Sequence, residues 1–187
     1  MRQDGFTLLQ LLLVTGLIGL LVQLAAPGFR QLLVNQQRQV VAFELASGLR
    51  SARAQAILQQ QDVLVQAIDD DWGLGWWMIV DSSGKGVEDP NNRVLLERRL
   101  SGAVPVVGNT RLLTRARFIA QGWPAYTGTG PGNGTLHICE QGAAVSHWRV
   151  VMANSGRIRT ESGARAEQRC EPDEKLGGSA PSHTDYR

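Results

Sequence analysis

The feature that most constrains this chain is an uncharged apolar segment near its start. Residues 5–29 carry no charge, lie between Asp4 and Arg30, and consist mostly of Leu, Val, Ile and Ala. A helix of about 20 apolar residues crosses the hydrocarbon core of a bilayer. The segment is therefore long enough to span a membrane, and we expect a transmembrane helix over residues 6–29.

This segment differs from a cleavable secretory signal. Such a signal has a basic start, a shorter apolar core and a site of small residues after that core. Here the apolar run is too long, and Ala25-Ala26-Pro27 is a poor cleavage site. The pair Gly5-Phe6 instead indicates a cut before the apolar run, which would leave the run on the mature protein.

The start of the chain resembles the type IV pilin and type II secretion pseudopilin superfamily. The residues that carry the resemblance are Gly5, Phe6, Thr7 and Leu8, together with Pro27 at the position of the family's membrane-exit proline. The resemblance implies that residues 1–5 are a leader, which prepilin peptidase removes by cutting before Phe6. It also implies methylation of the new N-terminal amine. An ordinary single-span anchor is the alternative.

Gln10 departs from the family pattern, which usually has Glu at the fifth mature position. By resemblance, that Glu pairs with the methylated amine of a neighbouring subunit during assembly. Gln10 keeps a hydrogen-bonding carbonyl but lacks the charge, and charge-assisted hydrogen bonds are the stronger ones. Two consequences are open, a weaker insertion into the filament or a position such as a tip, where no neighbour needs the contact.

Beyond the apolar segment, the pattern predicts that the helix continues over residues 30–61 with one apolar face. Apolar residues recur at steps of three and four, as one face of a helix requires, at Val41, Leu45, Leu49, Ala52 and Ala56. Residues 62–170 then read as a β-rich globular domain. Residues 171–187 hold one Leu and one Tyr as large apolar residues, which is too few for a core, and we expect a flexible tail.

Short apolar runs separated by turn residues predict the strands of this domain. We expect strands at 63–67, 72–81, 93–100, 103–107, 111–119, 135–139, 147–153 and 157–160, with loops at 82–92 and 122–134. The fold class is therefore α+β, a long N-terminal helix packed on a mostly antiparallel β-sheet body.

A narrower resemblance is to the GspH/FimT type of minor pilins and pseudopilins. It rests on Trp72-Gly73-Leu74-Gly75-Trp76, on Val80-Asp81, on Cys139 and on Gly156-Arg157-Ile158-Arg159 before Cys170. The resemblance implies a subunit anchored in the inner membrane with its body in the periplasm, later assembled into a pilus or pseudopilus. Its partners would be prepilin peptidase and other major and minor pilins.

FimT-type proteins, by resemblance, bind DNA through a Gly-Arg-x-Arg stretch and serve DNA uptake in natural transformation. The stretch corresponds to Gly156, Arg157 and Arg159. The alternative is a structural GspH/FimU-like subunit that primes or caps the filament without binding DNA, with the arginines paired to Glu161, Glu167 or the tail. An anchored periplasmic enzyme or adhesin is the third hypothesis.

Arginine usage agrees with phosphate binding. The net charge is +2, and all but Lys85 and Lys175 among the 19 basic residues are Arg. Arginine suits bidentate contacts with phosphate, although a GC-rich genome gives the same bias. Further candidates for contacts with the DNA backbone, independent of sequence, are Arg149, Arg165 and Arg169, and also Arg111, Arg115 and Arg117, which would share one face of a strand.

The two cysteines, Cys139 and Cys170, are expected to form a disulfide because the body would lie in an oxidising compartment. Two buried free thiols are the alternative. Trp76 or Trp77 and Trp148 read as core residues, whereas Trp123 is a candidate surface contact.

No pattern of residues predicts catalysis. His137, His147 and His183 lack metal-ligand spacing, and the loop 128–134 lacks the Gly-Lys-Ser/Thr of a phosphate-binding loop. Asp69-Asp70-Asp71 reads as a solvated turn. We therefore expect no enzyme activity, no metal and no cofactor.

Overall fold

The computed structural model describes residues 8–126 and 132–171, with the backbone alone for residues 24–27. The predicted leader, the cut between Gly5 and Phe6, the tail from residue 172 and part of the glycine-rich loop lie outside these residues. Within the described ranges the chain forms one long helix, nine strands and two short 3-10 turns.

Helix α1 runs over Leu8–Gln59, and the chain divides after Gln37 into two compact units. In the first unit every side chain that the structure describes is exposed. Among the described residues no single helix has the length and apolar composition of a membrane span. Taken together as a bent pair, Leu8–Gln23 and Gly28–Gln59 have that length and composition. The transmembrane segment at 6–29 stays a prediction.

In the second unit, one face of α1 belongs to the hydrophobic core. Its buried residues recur at helical spacing and are at most 1% exposed: Ala42, Leu45, Ala46, Leu49, Ala52 and Ala56. Val41, which the sequence pattern placed on this face, is only partly buried because the face passes through Ala42 and Ala46 instead. Most of these residues are alanine, so the helix backbone lies close to the sheet.

Gly48 shows how close this approach is. A Cβ added at Gly48 would lie 2.7 Å from the indole ring of Trp76, and Trp76 is itself almost fully buried. Any larger residue would therefore push the helix away from the sheet that carries Trp76.

The strands are, in chain order, β1 Val63–Ile68, β2 Asp71–Val80, β3 Arg93–Arg99, β4 Val106–Gly108, β5 Arg115–Phe118, β6 Pro124–Ala125, β7 Gly134–Cys139, β8 Val145–Met152 and β9 Ile158–Ala166. They form two sheets, one of order β3-β2-β1-β5-β6 and one of order β4-β7-β8-β9. Every pairing between neighbours is antiparallel. The predicted α+β class is confirmed.

Strand β1 is buried on both faces, although its sequence alternates as if one face were exposed. The loop that follows β2 covers the second face. The side chain of Gln66 accepts a hydrogen bond from the backbone N–H of Val87 at 3.3 Å. Asp81, fully buried, accepts one from the N–H of Gly86 at 3.2 Å. These bonds satisfy the polar groups that this burial would otherwise leave unpaired.

The predicted strand 111–119 is wrong in its first half. Residues 109–112 form a turn in which the N–H of Leu112 donates to the carbonyl of Asn109 at 2.8 Å. The indole N–H of buried Trp72 donates to the carbonyls of Leu112 and Leu113 at 2.9 Å. Because these bonds occupy the backbone, Arg111 lies outside β5 and does not share a strand face with Arg115.

The last strand is longer than predicted, since β9 continues to Ala166 and not only to Thr160. Its pairing with β8 shifts register between Ser146 and Trp148. Gly163, with φ +116°, lies in the irregular part of β9 opposite this shift. Glycine accommodates such a bulge, so Gly163-Ala164 interrupts the pairing without ending the strand.

The predicted disulfide is present. Cys139, at the end of β7, and Cys170, in a 3-10 turn after β9, are bonded with a Cα–Cα distance of 5.5 Å. The 31-residue separation corresponds to about 3–4 kcal/mol of stabilisation in the chain-entropy account. The bond therefore closes a loop that contains β8 and β9.

Reduction of this disulfide should lower the free energy of unfolding by about 3–4 kcal/mol, because the reduced unfolded chain regains loop entropy. Denaturant unfolding of the full chain in non-ionic detergent, with and without reductant, measures the loss. The Cys139→Ser/Cys170→Ser variant is the control, since reductant should leave its transition unchanged. An identical transition for the parent in both conditions would contradict the prediction.

Candidate nucleic-acid interface

The turn between β8 and β9 places the predicted motif at one end of the second sheet. The N–H of Ala153 donates to the carbonyl of Arg157, and the N–H of Gly156 donates to that of Ala153, both at 2.9 Å. Gly156 has φ +73°, and a Cβ there would lie 2.7 Å from the carbonyl oxygen of Gly122. Both the conformation and the close approach require glycine.

Two arginines of the last turns of α1 donate hydrogen bonds to backbone carbonyls beside this turn. Nε of Arg53 donates to the carbonyl of Gly122 at 2.9 Å, beside Gly156. Nη2 of Arg50 donates to the carbonyl of Ile158 at 3.2 Å. A guanidinium has five N–H donors, so these bonds leave most donors of each arginine for other partners.

A groove of about 450 Å³ lies between these elements. Its lining residues are Arg50, Arg53, Ala54, Ile57, Gly156, Arg157 and Ile158. None of these lining residues is acidic. Arg157 is exposed, and within residues 8–126 and 132–171 its side chain has no hydrogen-bond or ion-pair partner. The groove therefore collects three guanidinium groups without a neutralising carboxylate in its lining.

Arg159 is placed differently from Arg157. Its side chain is 49% exposed, and its Nε donates to Oε1 of Glu161 at 2.8 Å. This hydrogen bond is the main reason why the pKa of Glu161 lies below its ordinary value. The pair is therefore intact at neutral pH and is lost only as the pH falls through that lowered pKa. A phosphate at Arg159 must compete with a carboxylate.

The remaining C-terminal arginines divide by burial. The side chain of Arg149 is only 7% exposed, and it donates to the carbonyl of Gly163 at 3.0 Å and to Glu161 at 3.4 Å. Its guanidinium therefore stabilises the β8–β9 pair and is not offered to a ligand. Arg165 and Arg169 are exposed, and Arg169 pairs with Glu167 at 3.3 Å.

The arginines of the β5 region do not join the groove. The side chain of Arg117 is 16% exposed and forms ion pairs with Asp62, at 3.4 Å, and with buried Asp81. Arg115 lies on the same half-buried face of β5. Both arginines point away from the buried face of the strand, as the alternation predicted.

Arg111 contacts two residues of the loop 122–134, Asn133 and Tyr126. Its Nη1 donates to the side-chain oxygen of Asn133 at 3.1 Å, and its guanidinium carbon lies 6.0 Å from the centre of the Tyr126 ring. The structure therefore does not bring Arg111, Arg115 and Arg117 together with Arg157 in one groove.

The tryptophans follow the predicted division. Trp76 is buried, as is Trp72, and Trp148 is partly buried against the core. Trp123 is 59% exposed and directly follows Gly122, whose carbonyl binds Arg53. The exposed aromatic ring thus belongs to a residue next to the groove.

The sequence reasoning missed Arg50 and Arg53. They lie about a hundred positions before Gly156 in the chain, and only the packing of α1 on the sheets brings them to the turn. A signal was present, because positions 50 and 53 share a helix face beside the buried stripe. Arginine side chains at these two positions extend along the surface of the globular domain.

The sequence matches a known protein family and a known pilin-like protein. The family described as type II transport protein GspH matches residues 41–156. The pilin-like protein PilA1 of Thermus thermophilus is 31% identical over 173 residues, which cover 86% of this chain and all of PilA1. The family match ends at Gly156, so Arg157 and Arg159 lie just beyond it.

Solved structures share the fold. The type IV minor pilin FimU of Pseudomonas aeruginosa, in two crystal forms, gives TM-scores of 0.58 and 0.55 at 24% identity. The alignments cover 72% and 70% of this chain and 96% and 98% of the FimU chain. At this identity the likeness concerns the architecture of helix and sheets.

We expect Gly156→Ala to destabilise the protein by more than the about 1–2 kcal/mol that a left-handed conformation costs an L-residue. The added Cβ would also collide with the carbonyl of Gly122. Gly142→Ala is the matched control, because Gly142 has φ +76° but nothing within 4 Å of the added Cβ. Denaturant unfolding compares the two variants, and equal losses would contradict a close contact at Gly156.

Proposed function

Since the chain belongs to the GspH family, within the type IV pilin and pseudopilin superfamily, we propose that it is a FimT-like minor pilin of a type IV pilus. In this role it binds DNA through its C-terminal arginines and serves DNA uptake in natural transformation. The binding is to the phosphate backbone and is independent of base sequence.

The observation that carries the proposal is the exposed guanidinium of Arg157 in a groove whose lining contains no acidic residue. Opposite charge and bidentate geometry make phosphate the natural ligand of such a group. Gly156 supports the same conclusion, because the turn that its positive φ allows brings the next residue, Arg157, into the lining of the groove.

A structural subunit that primes or caps the filament without DNA is the second candidate. The ion pairs of Arg159 with Glu161 and of Arg169 with Glu167 favour it, since paired surface arginines attract polyanions less than free ones. In that role Arg157 would face an acidic residue of a neighbouring subunit.

The start of the chain completes the proposal. Prepilin peptidase would cut between Gly5 and Phe6, the inner membrane would hold residues 6–29, and the body would lie in the periplasm until assembly with other pilins. Gln10 would occupy the assembly position without a charge. The proposed role is one of binding and assembly, without catalysis.

Mass spectrometry of the protein purified from its own cells should show a chain that begins at Phe6 and carries a methylated amine. The reason is the position of Gly5-Phe6 before the uncharged segment. Gly5→Leu is the control and should retain residues 1–5. A parent chain that keeps its leader, or that is cut after Ala26, would rule out the pilin role.

Titration of the full chain in non-ionic detergent with a DNA duplex, over a series of salt concentrations, tests the DNA proposal. We expect binding that weakens as salt rises, and a loss of about tenfold or more in affinity for Arg157→Ala/Arg159→Ala, since each guanidinium–phosphate hydrogen bond is charge-assisted. Circular dichroism confirms that the variants are folded.

Two variants sharpen the result. Arg98→Ala/Arg99→Ala removes the same charge from β3 and should change affinity little. Glu161→Gln frees Arg159 from its carboxylate and should strengthen binding. Absence of binding by the parent at low salt, or equal losses for both arginine pairs, would favour the structural candidate.

A further inference from the structure

We propose that Arg50 and Arg53 of helix α1 bind phosphate and that, together with Arg157, they form the binding site for the DNA backbone in this groove. This inference rests on the proposed DNA binding and names the residues that hold the phosphate. It places the centre of the site where helix α1 meets the β8–β9 turn, and not at Arg159 on β9.

The helix arginines are held in place before any ligand arrives. Arg50 and Arg53 are three positions apart and share a helix face. Each is fixed by one hydrogen bond to a backbone carbonyl, of Ile158 and Gly122 respectively. A long side chain that is already ordered loses less entropy on binding, and the unused N–H donors of each fork remain for phosphate oxygens.

Charge distinguishes this groove from the other arginines that the sequence suggested as DNA contacts. Arg159, Arg169 and Arg117 each face a carboxylate within 3.4 Å. Of the residues that line the groove, three are arginines and none is acidic. A phosphate that enters the groove therefore displaces no protein carboxylate, whereas one that binds Arg159 must displace Glu161.

The remaining lining suits a nucleotide and not an isolated ion. Ala54, Ile57 and Ile158 form an apolar part of the wall, which can contact a sugar while the guanidiniums hold the phosphate. The volume of about 450 Å³ lies in the range of sites that hold small ligands. In the proposed complex one phosphate with its sugar lies in the groove, and the strand continues across the surface on either side.

The test compares Arg50→Gln/Arg53→Gln with the parent, both as full chains in non-ionic detergent, by titration with the same duplex over a salt series. Glutamine keeps an N–H donor but removes the charge and the fork. We expect a loss of about tenfold or more in affinity. We also expect the slope of log affinity against log salt to become shallower by about 0.9 for each phosphate contact removed.

The matched control is Arg98→Gln/Arg99→Gln, which lowers the net charge equally but lies on β3, outside the groove. Its salt slope should equal that of the parent. If the helix variant behaves like this control while Arg157→Gln loses binding, the inference is wrong and the proposed function stands. If the parent itself does not bind, both are wrong.

A second measurement needs no variant. Phenylglyoxal modifies accessible arginines, and mass spectrometry of peptides locates each modified residue. With the parent protein, the duplex should slow modification of Arg50, Arg53 and Arg157 relative to Arg98 and Arg99. Protection of Arg157 without protection of Arg50 and Arg53 would overturn the inference even if the double variant did not fold.

Discussion

The packing of small helix residues against the sheets is the constraint on which the rest of the second unit depends. Alanines at 42, 46, 52 and 56 and glycine at 48 give α1 a flat face. Dispersion contacts and burial of apolar area then favour close approach of helix and sheet. This close packing sets the distance of the helix from the sheets and its rotation about its own axis. The contacts made by the last turns of the helix depend on both.

The arginine groove depends on this helix position. No single element carries it, because two of its guanidiniums come from the helix and the third from the hairpin. The bonds from Arg50 and Arg53 to backbone carbonyls form only if the end of the helix lies at hydrogen-bond distance from Ile158 and Gly122. Residues that never touch a ligand, such as Gly48, therefore influence the spacing of the charged groups.

Local patterns predicted the elements, and long-range packing decided the site. The three-and-four spacing of apolar residues predicted the buried face of α1, and short apolar runs separated by turn residues predicted β1, β2 and β8 closely. The sequence could not reveal that Arg149 is buried, because its partners are carbonyls exposed by the irregular pairing of β9. Nor could the sequence reveal that Arg50 and Arg53 lie beside Gly156, since their proximity depends on how the helix packs on the two sheets. The turn at Leu112 was missed because its anchor, the indole of Trp72, is distant in sequence.

The bond between Cys139 and Cys170 has a consequence for proteolysis. The covalent ring that it closes contains the whole β8–β9 hairpin, including exposed Arg157 beside the turn. A protease that cuts after Arg157 would produce two pieces that stay covalently joined, each still paired along its strand. A nicked subunit would run at full length on a non-reducing gel and separate into fragments once reduced, so a cut after exposed Arg157 need not release the hairpin from the body.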